Sequence, residues 1–344
     1  MKSASFVLAA LVLAAPLHAA EPAAGGHRLA PSFAIGGEGG WDYVTADATA
    51  RRLYVSRGTH VMVVDMDSGK VVGDIPGTDG VHGIALAQDL KKGFTSNGRA
   101  GTVTVFDLPS LAVTGTIKVT GENPDAILYE PVTKRLFTFN GRGKNVTAID
   151  AATEGVVGTL PVGGKPEFAA SDASGVVFVN VEDTAEVLAF DAKSLAVKGR
   201  WKLAACEEPT GLALDQKAKR LFAGCSGNKT LSILEAEGGK PAGTVPIGAG
   251  CDAVAFDPGT GLVFASNGDG TLTVVKETSP GAYATVETVA TKKGARTMAL
   301  DPSTHRIYLP AAQYGPAPAA TAEVPRPRPP MLPGSFEVLV VVPR

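Results

Sequence analysis

Four carboxylates, an imidazole, a hydroxyl and a guanidinium recur along this chain at a nearly constant interval. Asp42, His82, Asp125, Glu167, Thr210, Asp252 and Arg296 stand 40, 43, 42, 43, 42 and 44 residues apart. If one fold turns that interval into a ring, these side chains converge. Four like charges facing one another need compensation, so a raised pKa, a shared proton, a bound cation or Arg296 must relieve them. A hard divalent ion such as calcium or magnesium favours carboxylate and water ligands, with Asp42, Asp125, Glu167 and Asp252 as the candidate set. That ion would polarise a carbonyl or activate water, and His82 and Glu167 are then the candidate catalytic groups, His82 as general base. Without an ion, the same residues read as strand-end caps that hold water and pair across neighbouring repeats.

The interval belongs to a repeated unit. One copy runs from Cys251-Asp252 through Leu262-Val263-Phe264-Ala265-Ser266-Asn267-Gly268 to Thr271-Leu272-Thr273-Val274-Val275. Similar runs begin at Pro124 and Pro209. Each copy is three or four short β-branched and aromatic stretches separated by Gly, Asp, Asn and Pro, which is strand-and-turn spacing. A period near 42 residues predicts one four-stranded antiparallel blade per copy, so the fold class is all-β and the architecture a seven-bladed β-propeller. The first strand of each blade lines the central channel, which places the seven residues at its mouth. The last copy lacks an outer strand, and Phe33-Ala34-Ile35-Gly36-Gly37 resembles Leu160-Pro161-Val162-Gly163-Gly164 at the edge of another blade. An N-terminal strand is therefore expected to close the ring and remove its free sheet edge.

A second set, Arg57, Asn97, Asn140, Cys225 and Asn267 with Asn180 close by, falls at the ends of second strands on the same face. Arg57, Asn97, Asn140 and Asn267 join the ligand-binding candidates, and Arg57, Arg99, Arg142 and Lys144 would make a basic rim. The Asn residues also have an ordinary use in tight turns. Trp41, beside Asp42, is a candidate to stack on a ligand or to be buried, and His305 is expected on the opposite face as a surface residue. Cys206 with Cys225 is the preferred disulfide and Cys206 with Cys251 the alternative. A Pro- and Ala-rich insertion, 313–334, interrupts the last blade and is expected at the mouth as a lid, a partner surface or a solvated loop.

Phe264-Ala265-Ser266-Asn267-Gly268, Leu136-Phe137-Thr138-Phe139-Asn140-Gly141 and Arg52-Leu53-Tyr54-Val55-Ser56-Arg57-Gly58 resemble the Tyr-Val-Thr-Asn repeat of YncE-like periplasmic propellers. The resemblance spans residues 21–344 as one domain. It implies a binding protein without an established reaction, serving a small molecule, a metal ion or a protein partner. The wider superfamily includes lactonase-type propellers and a cytochrome d1-like haem domain. The alternative function it implies is a metal-assisted lactonase using the mouth carboxylates, and His82 is the one ring residue able to ligate haem.

Lys2, the apolar run from Phe6 to Leu13 and the small residues ending at Ala20 have the form of a secretory signal cleaved near Ala20. The mature chain is then expected in the periplasm or outside the cell, as a monomer with no membrane span. A formal net charge of −2 and a pI near 6.2 supply no global basic field, which argues against nucleic acid.

Overall fold

The computed structural model describes residues 26–321, 327 and 329–344. The expected signal peptide, its cleavage near Ala20, and insertion residues 322–326 and 328 lie outside the described residues. Seven four-stranded antiparallel sheets follow one another along the chain. Their inner strands are Val44–Asp47, Val81–Ala87, Pro124–Glu130, Pro166–Ser171, Pro209–Asp215, Cys251–Asp257 and Ala299–Asp301, which define blades 1 to 7. The inner strand of blade 7 begins three residues after Arg296, later than the repeat suggests.

Blade 7 takes its outermost strand from the start of the chain. His27–Ala34 pairs antiparallel with Glu337–Pro343, from His27 opposite Pro343 to Ala34 opposite Glu337. The closing strand thus starts earlier than Phe33-Ala34-Ile35-Gly36-Gly37, and residues 35–37 lead away from it. Glu287 of blade 6 fastens it, accepting the His27 backbone N–H at 2.8 Å and meeting His27 Nδ1 at 2.8 Å. No helix among the described residues is long and apolar enough to cross a membrane.

Second and third strands read as unbroken apolar runs, as in Leu53-Tyr54-Val55 and Val61-Met62-Val63-Val64, because both of their faces are covered by neighbouring blades. Outer strands mix exposed and buried positions because one face and one edge meet water. Asp65, Asp107, Asp150 and Asp191 each accept the backbone N–H three residues on, at 2.7 to 2.9 Å, and thereby shape the turn into the outer strand of blades 1 to 4. The buried side chains form seven clusters among the described residues, each shared by two adjacent blades. Burial therefore holds blade to blade all the way round, and every seam presses the inner strands toward the axis.

Candidate functional site

In blades 2 to 6 the ring residue is the second of its inner strand, while Asp42 and Arg296 lie just before theirs. Several ring carbonyls are taken up by the preceding blade. Thr297 Oγ1 donates to Asp42 O at 2.6 Å, the Tyr43 N–H to His82 O at 3.3 Å and Asn180 Nδ2 to Thr210 O at 2.9 Å. Ser96 Oγ donates to Asp125 O, and Ser266 Oγ to Arg296 O. These bonds fix the backbone sideways between blades and leave the acidic and basic side chains to face the channel.

There the charges sort themselves. His82 Nδ1 donates to Asp42 Oδ2 at 2.6 Å and lies 3.6 Å from Asp125 Oδ1. Arg296 Nε donates to Asp252 Oδ2 at 2.5 Å, with its Nη2 3.7 Å from Asp42. Lys165 binds Glu167 at 2.6 Å and also Glu182. Burial, joined by repulsion from Asp42 and Asp252, pushes Asp125 up to about 6 against the pull of His82 and Lys165. Burial and the charge of Asp125 push Glu167 up to about 8. Burial opposes the charge on His82, but the Asp42 hydrogen bond and the fields of Asp125 and Asp42 outweigh it, so the imidazole titrates above its ordinary value.

The residues surround a cavity of about 900 Å³ whose wall includes Asp42, His82, Asp125, Arg142 and Arg296. Blades 5 and 6 do not contribute to this wall, which is built from blades 1 to 3 and flanked by blades 4 and 7. One residue beyond the ring positions of blades 1 and 4, the rings of Tyr43 and Phe168 meet at 4.7 Å. Tyr43 leaves blade 1 and packs on the seam of blades 3 and 4, while Phe168 leaves blade 4 and reaches the seam of blades 6 and 7. The two side chains thus meet from blades 1 and 4, and a separate cavity of about 400 Å³ lies along later residues of the inner strands in blades 1 to 3. Burial and the charges of Asp125, Glu167, Asp42 and Asp252 raise the Tyr43 phenol.

The structure departs from the sequence reading at several positions. Thr210 is buried, and its hydroxyl donates to Cys251 O at 2.6 Å, so it ties two blades instead of facing the channel. Glu167 and Asp252 are held by Lys165 and Arg296, and among the described residues the group whose metal-ligating atoms come within 4.8 Å of one another is Asp42, His82 and Asp125. Asn97, Asn140 and Asn267 are fully buried, their amides donating to threonine hydroxyls of the next strand, as Asn97 does to Thr104 at 2.8 Å. Arg57 is also fully buried and leaves the rim. Its guanidinium donates to the carbonyls of Gly36, Gly37, Glu38 and Gly39 at 2.9 to 3.1 Å and lies 3.6 Å above the Phe336 ring. Burial draws its pKa down to about 10.

Lys144 pairs with Asp183 at 2.8 Å, which leaves Arg99, Arg142 and Lys165 as basic groups of the pocket beside Arg296. Trp41 lines the pocket with its ring between Tyr314 and Phe336, at 6.0 and 5.2 Å, so the base of the insertion packs beside the mouth. His305 is partnered, its Nδ1 2.7 Å from Asp257 of the preceding blade. Cys206 and Cys225 form the disulfide, and Cys251 is a buried free thiol whose pKa burial raises. Tyr43, Lys165 and Phe168 escaped the sequence reading, although a signal for the rings existed. One residue after the ring position stand Gly83, Ala126, Gly211, Ala253 and Thr297, all small, against the two aromatics of blades 1 and 4.

No family model and no curated protein matches the chain. Among solved structures it is similar to one described as RRP9 WD40 repeats, at 10% identity and TM-score 0.74, covering 92% of this chain and 97% of that one. The structure of U3-55K aligns at 10% identity and TM-score 0.72, over 91% of this chain and 98% of that one. A chain in the mitotic checkpoint complex aligns at 16% identity and TM-score 0.69, over 90% and 95%. At these identities the likeness carries the fold alone. The class that fold and site define is a seven-bladed β-propeller with WD40-like structural neighbours and a pocket lined by charged side chains at one channel mouth.

Proposed function

We propose that the chain is a non-catalytic binding module that receives a small molecule, an ion or a projecting group of a protein partner in the mouth pocket. The observation that carries this is a cavity of about 900 Å³ at the channel mouth in which the Asp42 and Asp125 carboxylates stand together beside His82, within a wall that also carries Arg99, Arg142, Lys165 and Arg296. A positive group of the ligand would settle against Asp42 and Asp125. WD40-like neighbours such as the checkpoint-complex chain support a protein partner as the source of that group. The Cys206–Cys225 disulfide supports an oxidising compartment, in keeping with export to the periplasm and with the YncE-like strand motifs.

Thermal-shift and calorimetric titration of the full chain with Mn²⁺, Ca²⁺, Mg²⁺ and hexylammonium tests this. At least one of these cations should stabilise the native chain and bind roughly tenfold more weakly to Asp125→Asn. If every probe treats the two proteins alike, the reading is wrong.

A second reading, metal-assisted hydrolysis of lactones, is favoured by the mutual reach of Asp42, His82 and Asp125 within 4.8 Å. An imidazole ligand suits a first-row divalent ion better than calcium or magnesium. His82 would then serve as a ligand, and its role as general base would lapse. Chelator-sensitive turnover in a lactone panel would establish this reading, and its absence would remove it.

A further inference from the structure

Most ions in the pocket wall have found a partner. Arg296 is spent on Asp252, Lys165 on Glu167 and Glu182, and Arg99 on Asp79 at 2.9 Å. Two groups of blade 3 stand apart. The Asp125 carboxylate accepts no hydrogen bond among the described residues, since His82 Nδ1 at 3.6 Å gives its proton to Asp42. Arg142 lines the same pocket with neither an ion pair nor a hydrogen bond among the described residues. A carboxylate that takes no hydrogen bond and only shares His82 at 3.6 Å, and a guanidinium with no partner among the described residues, therefore face one cavity, the first beside the ring and the second at the exposed rim.

Resting on the binding reading above, we infer that the ligand is dipolar. An ammonium sits against Asp125 and Asp42, a carboxylate or similar anion meets Arg142, and a short, slender chain joins the two. A ligand with one charge would leave the other wall group unmatched. Selectivity between ligands of equal shape follows from that mismatch. On the neighbouring blade 2 part of the wall is bare backbone, which suits a narrow linker. A Cβ on Gly98 would lie 2.6 Å from His82 Nε2, and one on Gly80, whose φ is +74°, would lie 2.5 Å from Arg99 N. Side chains are excluded there, and an aliphatic segment can lie against Gly80, Gly98 and the nearby Val81. The Trp41 ring in the wall adds an aromatic surface that favours an organic cation over a hard metal ion.

Such a dipole is found in a free ω-amino acid and equally in neighbouring basic and acidic side chains of a partner peptide. The test uses 6-aminohexanoate, hexylamine, hexanoate and an acetylated, amidated Lys-Ala-Glu peptide, titrated calorimetrically into the full chain at low salt. At least one of the two zwitterions should bind roughly tenfold tighter than hexylamine, and whichever binds tighter identifies the source. Arg142→Gln should erase that advantage without weakening hexylamine, Arg142→Lys should restore part of it, and Asp125→Asn should weaken both classes. Arg142 is exposed, so unchanged melting of its variants checks folding. If hexylamine or a divalent ion binds in an Asp125-dependent way while neither zwitterion gains from Arg142, the dipolar inference is overturned and the binding reading stands. If no probe binds in an Asp125-dependent way, both fall.

Discussion

Asp125 is ionised at neutral pH only against opposition, because burial and the charges of Asp42 and Asp252 push its carboxyl up to about 6. Between the ordinary aspartate range and that value the folded chain binds more protons than the unfolded one. Its contribution to stability is therefore fully present in acid and is lost as the pH rises through about 6. Glu167 has the same sign and extends the window to about 8. Asp125→Asn is accordingly expected to raise the melting temperature at pH 7.5 by a few degrees, from about 1 to 3 kcal/mol, with no gain at pH 4. Differential scanning calorimetry across that range checks the sign, and a loss of stability at pH 7.5 would contradict it. A residue kept at such a cost while its removal impairs binding is the pattern of a functional group.

Among the strands, the aligned interval identified which residues share a level of the ring but not what each one touches. Thr210 has the same register as Asp125 and Asp252, yet it donates to the Cys251 carbonyl and takes no part in the pocket. Thr210→Val should cost about 1 to 2 kcal/mol in urea unfolding by leaving that carbonyl short of a donor, without altering ligand affinity. An equal loss of affinity would return Thr210 to the pocket. The buried Asn residues carry a related lesson. A strand-end Asn reads as a turn former or a ligand, but Asn97 and Asn140 are enclosed and satisfied by threonines two and seven residues away. Such partners become evident only when the hairpin register is known. The small residues at Gly83 and Gly211 were legible in principle, since a Cβ on Gly211 would lie 2.5 Å from Val254 N of the next blade.

At the scale of the whole ring, closure by His27–Ala34 covers an edge that would otherwise leave Glu337–Pro343 unpaired. A chain truncated through Ala34 should melt lower and associate in a concentration-dependent way by light scattering; an unchanged, monodisperse protein would show that the edge needs no cover. The repeat length, the number of blades and the missing last strand followed from spacing, because a blade is a local unit whose period is set by strand and turn lengths, whereas the choice of Cys206–Cys225 over Cys206–Cys251 rested on the structure. The sequence could also nominate the converging residues, because equivalent positions in equal blades must lie on one circle. Tertiary structure alone decided which charges neutralise one another, that Tyr43 and Phe168 meet from opposite blades, that Arg57 turns inward to the carbonyls of residues 36–39, that Asp125 keeps only a shared contact with His82, and that Arg142 has no partner among the described residues. Those outcomes depend on ångström-scale distances between residues from different blades. A one-dimensional period places such residues at the same height and leaves their separations undetermined.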